Sequence, residues 1–301
     1  MFQVQDYNDL FLYVYIFVDD ALKDIEQQSG YKFRTHSKLK PAEVLTIQIV
    51  GEFMEKKTEK AIYMLLKEYK TLFNAVISRS SFYKQLKKHA WILEFLMQYF
   101  SETFDNGDDV CFVDGFPIPI KKLVRKNNGV NINGRANVGC CASLEEYFYG
   151  LKRHILVGTT GIPRNLLFSP ANVHDVNLLE PLLEYEQDKT VVCDKGYIGH
   201  EQAAAVAVNN NEIVTEKRKN QIGHEEHNKA IHPLMKRRKV VECIISHLER
   251  LHSKTMKQRS FWTLKARMIA KCIAIGTAIV YNIENGFEKL LCMKILHPEF
   301  L

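Results

Sequence analysis

The spacing of apolar positions changes near residue 105. Before that point apolar residues recur every three or four positions, which is the period of an amphipathic helix. The helices predicted from this period span 7–27, 41–56, 58–70 and 81–104. Pro41 opens the second of them, and Thr58 and Ser80 or Ser81 are predicted N-caps. We therefore predict a helical N-terminal region over residues 1–105.

Beyond residue 105, β-branched and aromatic runs alternate with helical stretches. The segment "DVCFVDGFPIPIKKLV" predicts two strands with a turn at Gly115, and "EYFYGLKRHILVGTTGIPRNLLFSP" predicts a hairpin. Strands "KTVVCD" and "EIVTEK" then alternate with helices, and two helices are predicted over 232–254 and 260–290. The ribonuclease-H-like order has antiparallel strands first, followed by parallel strands that are linked by helices. We therefore predict an α/β domain over 106–301 with a ribonuclease-H-like mixed sheet flanked by helices.

Composition indicates an ordinary globular protein. Apolar residues make up 46% and charged residues 25% of 301 positions, and the formal net charge of +6 mildly favours an anionic partner. The seven cysteines form no CxxC pair, so they predict reduced cysteines of a cytoplasmic protein rather than a zinc site. No signal peptide is predicted, and the apolar runs are shorter than the ~20 residues that span a bilayer.

Three acidic residues are predicted to converge at one edge of the sheet. Asp114 lies in the first strand and Asp194 ends the strand "VVCD", and these strands are neighbours in the predicted topology. Glu242 lies on a helix expected to pack across the same edge. Because three adjacent carboxylates cannot all stay ionised without cations, we predict two Mg²⁺ ions about 3.5–4 Å apart. Asp114 would bridge both ions, Asp194 would hold one and Glu242 the other.

Each carboxylate also has an ordinary structural interpretation. An aspartate after an apolar strand is most often a cap or turn residue, and Glu242 alone could be a solvated position on an amphipathic helix. Asp175 suits a helix N-terminus, where a carboxylate faces the positive end of the helix dipole. The competing candidates are Asp109, Asp175, Glu216 and Glu249.

Several motifs resemble, in the same order, those of the DDE transposases of bacterial insertion sequences. They are "FVDGFPI", "YFYGLKRHILVGTTGIP", "SPANVHDVNLLEPLL", "CDKGYIG" and "RRKVVECIISHLER", and the resemblance covers roughly half of the chain. It implies the ribonuclease-H-like fold, with Asp114, Asp194 and Glu242 as catalytic residues and metal ligands. It also implies a Mg²⁺ cofactor, for which Mn²⁺ can substitute, and terminal repeat DNA of a mobile element as the substrate.

The last of these motifs departs from the family pattern at two positions. Met235 stands where the family often has a tyrosine, and Glu249 stands where it often has a lysine. The adjacent Arg250 could replace that lysine, because a cation that reaches a phosphate is what the position requires.

Positive charge concentrates around the predicted carboxylate site. The residues expected to contact DNA are Lys152, His154, Lys195, Lys217, Arg218, Lys236, Arg237, Arg238, Lys239 and Arg250, and Lys257 and Arg259 continue this basic stripe. Lys152 and His154 alternate on one strand and would face the same side, and the family resemblance suggests proximity to the site. Arg238 shares a helix face with Glu242 and could hold a DNA phosphate or pair with a carboxylate.

The N-terminal region offers a second candidate DNA surface. The segment "SRSSFYKQLKKHAWILEFL" is a basic helix after a serine-rich turn. It could be the recognition helix of a helix-turn-helix motif, or an amphipathic helix with a solvated basic face.

The predicted function is that of a DDE transposase. Metal-activated water would cut a strand at the element end, and the freed 3′ hydroxyl would attack target DNA. The predicted partners are the terminal inverted repeats and target DNA, and pairing two ends implies a homodimer on DNA. Two alternatives are a ribonuclease-H-like nuclease that only hydrolyses and an inactive DNA-binding protein. The presence of all three carboxylates argues against the inactive protein.

Overall fold

The computed structural model describes residues 4–33, 37–105, 109–125, 132–141, 146–197, 199–256, 258 and 260–293. Lys257 and Arg259, expected in the basic stripe, lie outside the described residues. The chain divides into two compact units. The first comprises Met1–Phe100, Arg250–His252 and Trp262–Leu301, and the second comprises Ser101–Glu249 and Ser253–Phe261.

Helices and strands follow one another in two blocks. The helices are α1 (Tyr7–Ser29), α2 (Pro41–Phe53), α3 (Glu59–Glu68), α4 (Arg79–His89), α5 (Ile92–Phe104), α6 (Leu179–Leu182), α7 (His200–Ala207), α8 (His224–Arg237), α9 (Lys239–Arg250) and α10 (Phe261–Glu284). The strands are β1 (Val110–Lys121), β2 (Asn137–Cys141), β3 (Glu146–Gly158), β4 (Pro163–Pro170), β5 (Thr190–Val192) and β6 (Glu212–Val214).

The N-terminal helices begin at residues that suit helix starts. Pro41 is the first residue of α2, and Thr58 caps α3 by accepting a hydrogen bond from the N–H of Ala61 at 3.1 Å. Both starts confirm the sequence prediction. The prediction of one helix over 81–104 is wrong, because α4 ends at His89 and α5 begins after a two-residue turn.

The predicted cap of α4 at Ser80 or Ser81 is also wrong. Ser78 has an extended backbone, and its Oγ accepts a hydrogen bond from the N–H of Ser81 at 3.2 Å. Ser80 and Ser81 already lie within the helix that begins at Arg79, so the residue before that helix supplies the cap.

A buried ion cluster lies in the core of the first unit. Glu52 of α2 is fully buried and accepts hydrogen bonds from Arg267 at 2.5 and 2.8 Å, and it also pairs with Lys271. Both cations belong to α10, which among the described helices is the one long and apolar enough to span a membrane. The burial of 89% of its most apolar 18-residue window is typical of a core helix. Glu52 therefore provides a negative charge that both buried cations share.

The second unit is built on a six-stranded mixed sheet. Its order is β2-β3-β1-β5-β6, and β4 pairs with β3. β3 pairs antiparallel with β1, β2 and β4, whereas β5 pairs parallel with β1 and β6. The hairpin predicted over β3 and β4 is confirmed. The predicted α/β class is confirmed as a mixed sheet flanked by helices, with a helical N-terminal region.

Gly115 lies inside a strand, so the turn predicted there is wrong. β1 continues through Gly115, and its Cα pairs with that of His154 on β3. Close approach rather than chain reversal explains the glycine. A Cβ at this position would lie 3.0 Å from Tyr197 Oη and 3.2 Å from His154 Nδ1.

The helix predicted over 232–254 starts earlier and is divided. α8 begins at His224, and a turn at Arg238 separates it from α9. The buried residues of α9 are Val241, Ile244 and Leu248, which lie at helical spacing.

Candidate active site

Two aspartates meet just beyond the stretch in which β1 and β5 pair as parallel strands. The strands pair Phe112 with Val192, and Asp114 and Asp194 each lie two residues further along the chain. Each carboxylate accepts a hydrogen bond from the backbone N–H of the next residue, at 2.8 Å for Asp114 and 2.7 Å for Asp194. The neighbouring strands predicted from the sequence therefore place these residues side by side.

Arg238 connects the third carboxylate to the first. Glu242 lies in the first turn of α9, and its side chain is exposed. Arg238 Nη2 donates to Asp114 Oδ2 at 2.8 Å, and Nη1 lies 3.4 Å from Glu242 Oε1. The first distance is that of a charge-assisted hydrogen bond, and the second is a looser ion pair. The turn between α8 and α9 thus directs one guanidinium towards two carboxylates.

The charges of all three carboxylates meet at Asp114. Burial raises the pKa of Asp114, Arg238 lowers it, and the negative charges of Asp194 and Glu242 raise it further. Their oxygen donors fit a hard divalent cation. Among the described residues, no three Asp, Glu, His or Cys side chains are grouped closely enough to hold a metal ion as they stand. The cation that lies between Asp114 and Glu242 is the guanidinium of Arg238.

The competing carboxylates have other partners or positions. Asp109 precedes β1 and is exposed. The ion pairs of the other candidates are Asp175 with Lys152 at 2.7 Å, Glu216 with Lys195 at 2.9 Å, and Glu249 with Lys254 at 2.5 Å. Each of these three therefore already has a local counter-charge.

A buried polar chain crosses the sheet beside Gly115. His154 Nδ1 lies 2.9 Å from Tyr197 Oη, and His154 Nε2 lies 3.1 Å from Ser169 Oγ. Burial lowers the pKa of His154 to about 4, and it raises that of Tyr197 well above its ordinary value. Because Tyr197 follows Asp194 by three residues, this chain connects the turn after β5 to β3 and β4.

His154 does not lie where a DNA contact would require it. It is fully buried, and side chains alternate across a strand, so Gly115 and its partner His154 project to the sheet face opposite Asp114. Sequence analysis missed Tyr197 and Ser169 as its partners. The signal for Tyr197 was its place in "CDKGYIG", directly after the second aspartate.

Lys152 ties β3 to the segment before α6. Its Nζ donates to Asp175 Oδ1 at 2.7 Å and to the carbonyl oxygen of Val173 at 2.8 Å. Asp175 Oδ2 in turn lies 3.5 Å from the position that a Cβ on Gly196 would take. Asp175, held by Lys152, therefore lies beside the turn that follows Asp194.

The cations expected on the DNA surface differ in exposure. The exposed residues are Arg218, Lys236, Arg237, Lys239 and Arg250. The partly buried residues are Lys152, Lys195, Lys217 and Arg238. Four exposed or partly buried cations, from Lys236 to Lys239, thus lie at the end of α8 and the start of α9, shortly before Glu242 in the chain.

Comparison with known proteins places this site in a family. A family model described as "Transposase DDE domain" matches residues 105–276, which is more than half of the chain and includes all three carboxylates. The sheet and its carboxylates thus belong to a domain of the transposition enzymes. The chain is a member of the transposase DDE domain family, whose substrate is DNA and which generally uses divalent metal ions. Searches of curated proteins and of solved structures each found no match.

Proposed function

We propose that this protein cuts DNA at the ends of a bacterial insertion sequence and joins the freed 3′ ends to target DNA. The observation that carries the proposal is the convergence of Asp114 within β1, Asp194 after β5 and Glu242 on α9 on a single electrostatic site. The strand order, with a parallel pair beside antiparallel strands, supports a ribonuclease-H-like core.

The three carboxylates have distinct proposed roles. Asp114 is central, because Arg238 links it to Glu242 and the parallel pairing brings Asp194 beside it. Asp114 would be a ligand of both ions, Asp194 a ligand of one ion and Glu242 a ligand of the other. Two Mg²⁺ ions, or Mn²⁺ in their place, would supply activation of the attacking hydroxyl and stabilisation of the leaving oxygen. No covalent protein–DNA bond is needed, so no serine or tyrosine nucleophile is assigned.

The basic residues before Glu242 form the proposed phosphate-binding surface of the catalytic domain. Lys236, Arg237 and Lys239 are exposed on α8 and at the start of α9, close in sequence to the carboxylate site. Arg218 and Arg250 are also exposed, whereas Lys152 and Lys195 are held in ion pairs with Asp175 and Glu216. We assign the first group to backbone phosphates and expect a smaller contribution from the paired lysines.

The helical N-terminal region is the proposed second DNA contact. Lys84, Lys87, Lys88 and Trp91 are all exposed, and their spacing of three, one and three residues puts them along one side of α4 and its end. A basic helix side of this kind suits phosphate binding.

We also propose that the protein is cytoplasmic. It would act as a homodimer, because each active site cuts one element end. A DNA complex of monomer size in gel filtration would contradict the dimer.

A cleavage assay tests the proposed chemistry. Labelled duplex DNA carrying the sequences that flank the gene would be incubated with protein, with and without Mg²⁺. We expect metal-dependent nicking that is lost in Asp194→Asn and retained in Asp109→Asn, an exposed aspartate of the same unit. Cleavage that survives in Asp194→Asn would refute the assignment. Nicking without joined products would identify a nuclease that only hydrolyses.

A further inference from the structure

Arg238 occupies the position between two of the proposed metal ligands. Its Nη2 lies 2.8 Å from Asp114 Oδ2, and its Nη1 lies 3.4 Å from Glu242 Oε1. The side chains of Arg238 and Asp114 are only 16% and 18% exposed, whereas that of Glu242 is 55% exposed. The Arg238–Asp114 pair is therefore shielded from solvent, and its Coulomb attraction is stronger than that of a surface pair.

Among the residues that the structure describes, no other cation is seen to pair with Asp114 or Glu242. Lys195 follows Asp194 directly, but its Nζ is 2.9 Å from Glu216 Oε2. The Nε atom of Arg238 is buried and has no hydrogen-bond partner in the described part of the chain. The guanidinium therefore gives its strongest contact to Asp114 and is otherwise incompletely satisfied, which makes its release less costly.

We propose that Arg238 is a built-in counter-cation, which neutralises Asp114 and Glu242 before metal binds and must leave them for the metal site to form. This inference rests on the proposed function, because it assumes that the three carboxylates hold divalent ions. In the metal-free protein the guanidinium offsets the repulsion between the carboxylates of Asp114 and Glu242, and a bound divalent ion would take over that charge.

The inference makes an unusual prediction for metal affinity. Because a divalent ion has to displace the guanidinium, removal of Arg238 should strengthen metal binding. Removal of a metal ligand, or of a residue that holds the ligands in place, would instead weaken metal binding. We expect Arg238→Gln to bind Mn²⁺ at least about tenfold more tightly than the wild type, which corresponds to ~1.4 kcal/mol. Arg238→Lys keeps the charge but lacks the fork that reaches two carboxylates, so its affinity should lie between the two.

The experiment measures Mn²⁺ binding to the full chain without DNA. The method is isothermal titration calorimetry, or the loss of the electron paramagnetic resonance signal of free Mn²⁺. Lys239→Gln is the matched control, because it removes one positive charge from the adjacent exposed position. Its affinity should stay within about twofold of the wild type, since an exposed charge is screened. The melting temperature of each metal-free variant gives a second readout. Arg238→Gln should melt lower than Lys239→Gln and should gain more on addition of Mn²⁺.

The outcomes separate this inference from the proposed function. Equal affinities for Arg238→Gln and Lys239→Gln, or weaker binding by Arg238→Gln, would overturn the counter-cation role. Asp114→Asn reports on the metal site itself. If no variant binds Mn²⁺, or if Asp114→Asn binds as well as the wild type, the proposed metal site fails and the inference fails with it. If Arg238→Gln does not fold, the Mn²⁺ affinity of Arg238→Lys is compared with that of Lys239→Gln instead. Equal or weaker binding by Arg238→Lys would then overturn the counter-cation role.

Discussion

His154 should titrate well below an ordinary histidine, and its titration reports on the polar chain beside Gly115. The ring is fully buried between Tyr197 Oη and Ser169 Oγ. Burial is the main cause that lowers its pKa to about 4 from 6.5, Asp175 opposes this effect, and Lys152 adds to it. The folded protein therefore keeps His154 neutral at pH values where the unfolded chain has taken up a proton.

The size and sign of the effect on stability follow from these two pKa values. Between pH 6.5 and 4 the unfolded state binds more protons at this position, so stability falls as the pH falls through this window. The difference between a pKa of 6.5 in the unfolded chain and about 4 in the folded protein corresponds to ~3 kcal/mol, as an order of magnitude. Full burial of the ring means that solvent screening does not reduce this contribution much.

Comparison with a variant isolates this contribution. The free energy of unfolding of the wild type and of His154→Gln would be measured by urea denaturation at pH 7, 5.5 and 4.5. His89, whose pKa is also lowered to about 4, titrates in both proteins, and its effect cancels in the difference. The stability advantage of the wild type should shrink by roughly 2–3 kcal/mol from pH 7 to 4.5. Carbon-13 labelling of the histidine rings would report the His154 pKa directly.

A constant difference between the two proteins over this pH range would refute the reasoning. So would a His154 ring signal that titrates near 6.5, because it would mean that water reaches the ring. Either result would show that the chain from Ser169 to Tyr197 is not a dry, hydrogen-bonded link, and that it does not hold the turn after Asp194 in the way described above.

Three further substitutions test other parts of the structure. Tyr197→Phe leaves a ring nitrogen of His154 without its partner and should reduce the free energy of unfolding by about 1–3 kcal/mol. Glu52→Gln removes the carboxylate charge that the buried Arg267 and Lys271 share and should destabilise the first unit by about 3–5 kcal/mol, measured by urea denaturation. Lys152→Met breaks a partly exposed ion pair and should cost only about 1 kcal/mol by the same assay.

Each of these has a result that would contradict it. Glu68→Gln alters an exposed glutamate of α3 and should leave stability within about 0.5 kcal/mol of the wild type. If Glu52→Gln behaves like that control, the buried ion cluster is not an energetic unit. Tyr197→Phe with unchanged stability would mean that water replaces the lost hydroxyl. A loss of several kcal/mol in Lys152→Met would mean that its pair with Asp175 is a core element.

Much of the second unit follows from patterns that act locally. Alternating β-branched residues predict strands, and the order of strands and helices predicts that β1 and β5 are parallel neighbours. That pairing alone brings Asp114 and Asp194 together. The turn expected at Gly115 was an error of the same local reasoning, since glycine is common both in turns and where side chains approach a strand closely.

The partners of the charged residues could not be predicted, because they depend on distances between elements remote in sequence. Lys152 and His154 share a face, as their alternation predicts, but only the paired register of β3 with β1 shows that this face is opposite Asp114. Likewise, sequence alone leaves Lys195 as a neighbour of Asp194, while the folded chain directs it to Glu216.

The case of Arg238 shows why the site depends on geometry as well as on residue types. Sequence left two roles open for it, a phosphate contact or a carboxylate partner, because helical spacing from Glu242 permits both. The break between α8 and α9 decides which role the free protein uses. It turns the guanidinium towards Asp114 while Glu242 stays exposed in the first turn of the next helix. One residue therefore fixes the relation between a strand and a helix that carry separate carboxylates. Arg238→Lys, which keeps the charge but loses the fork that reaches both carboxylates, should therefore change the Mn²⁺ affinity of the site more than Lys239→Gln, which removes a nearby exposed cation.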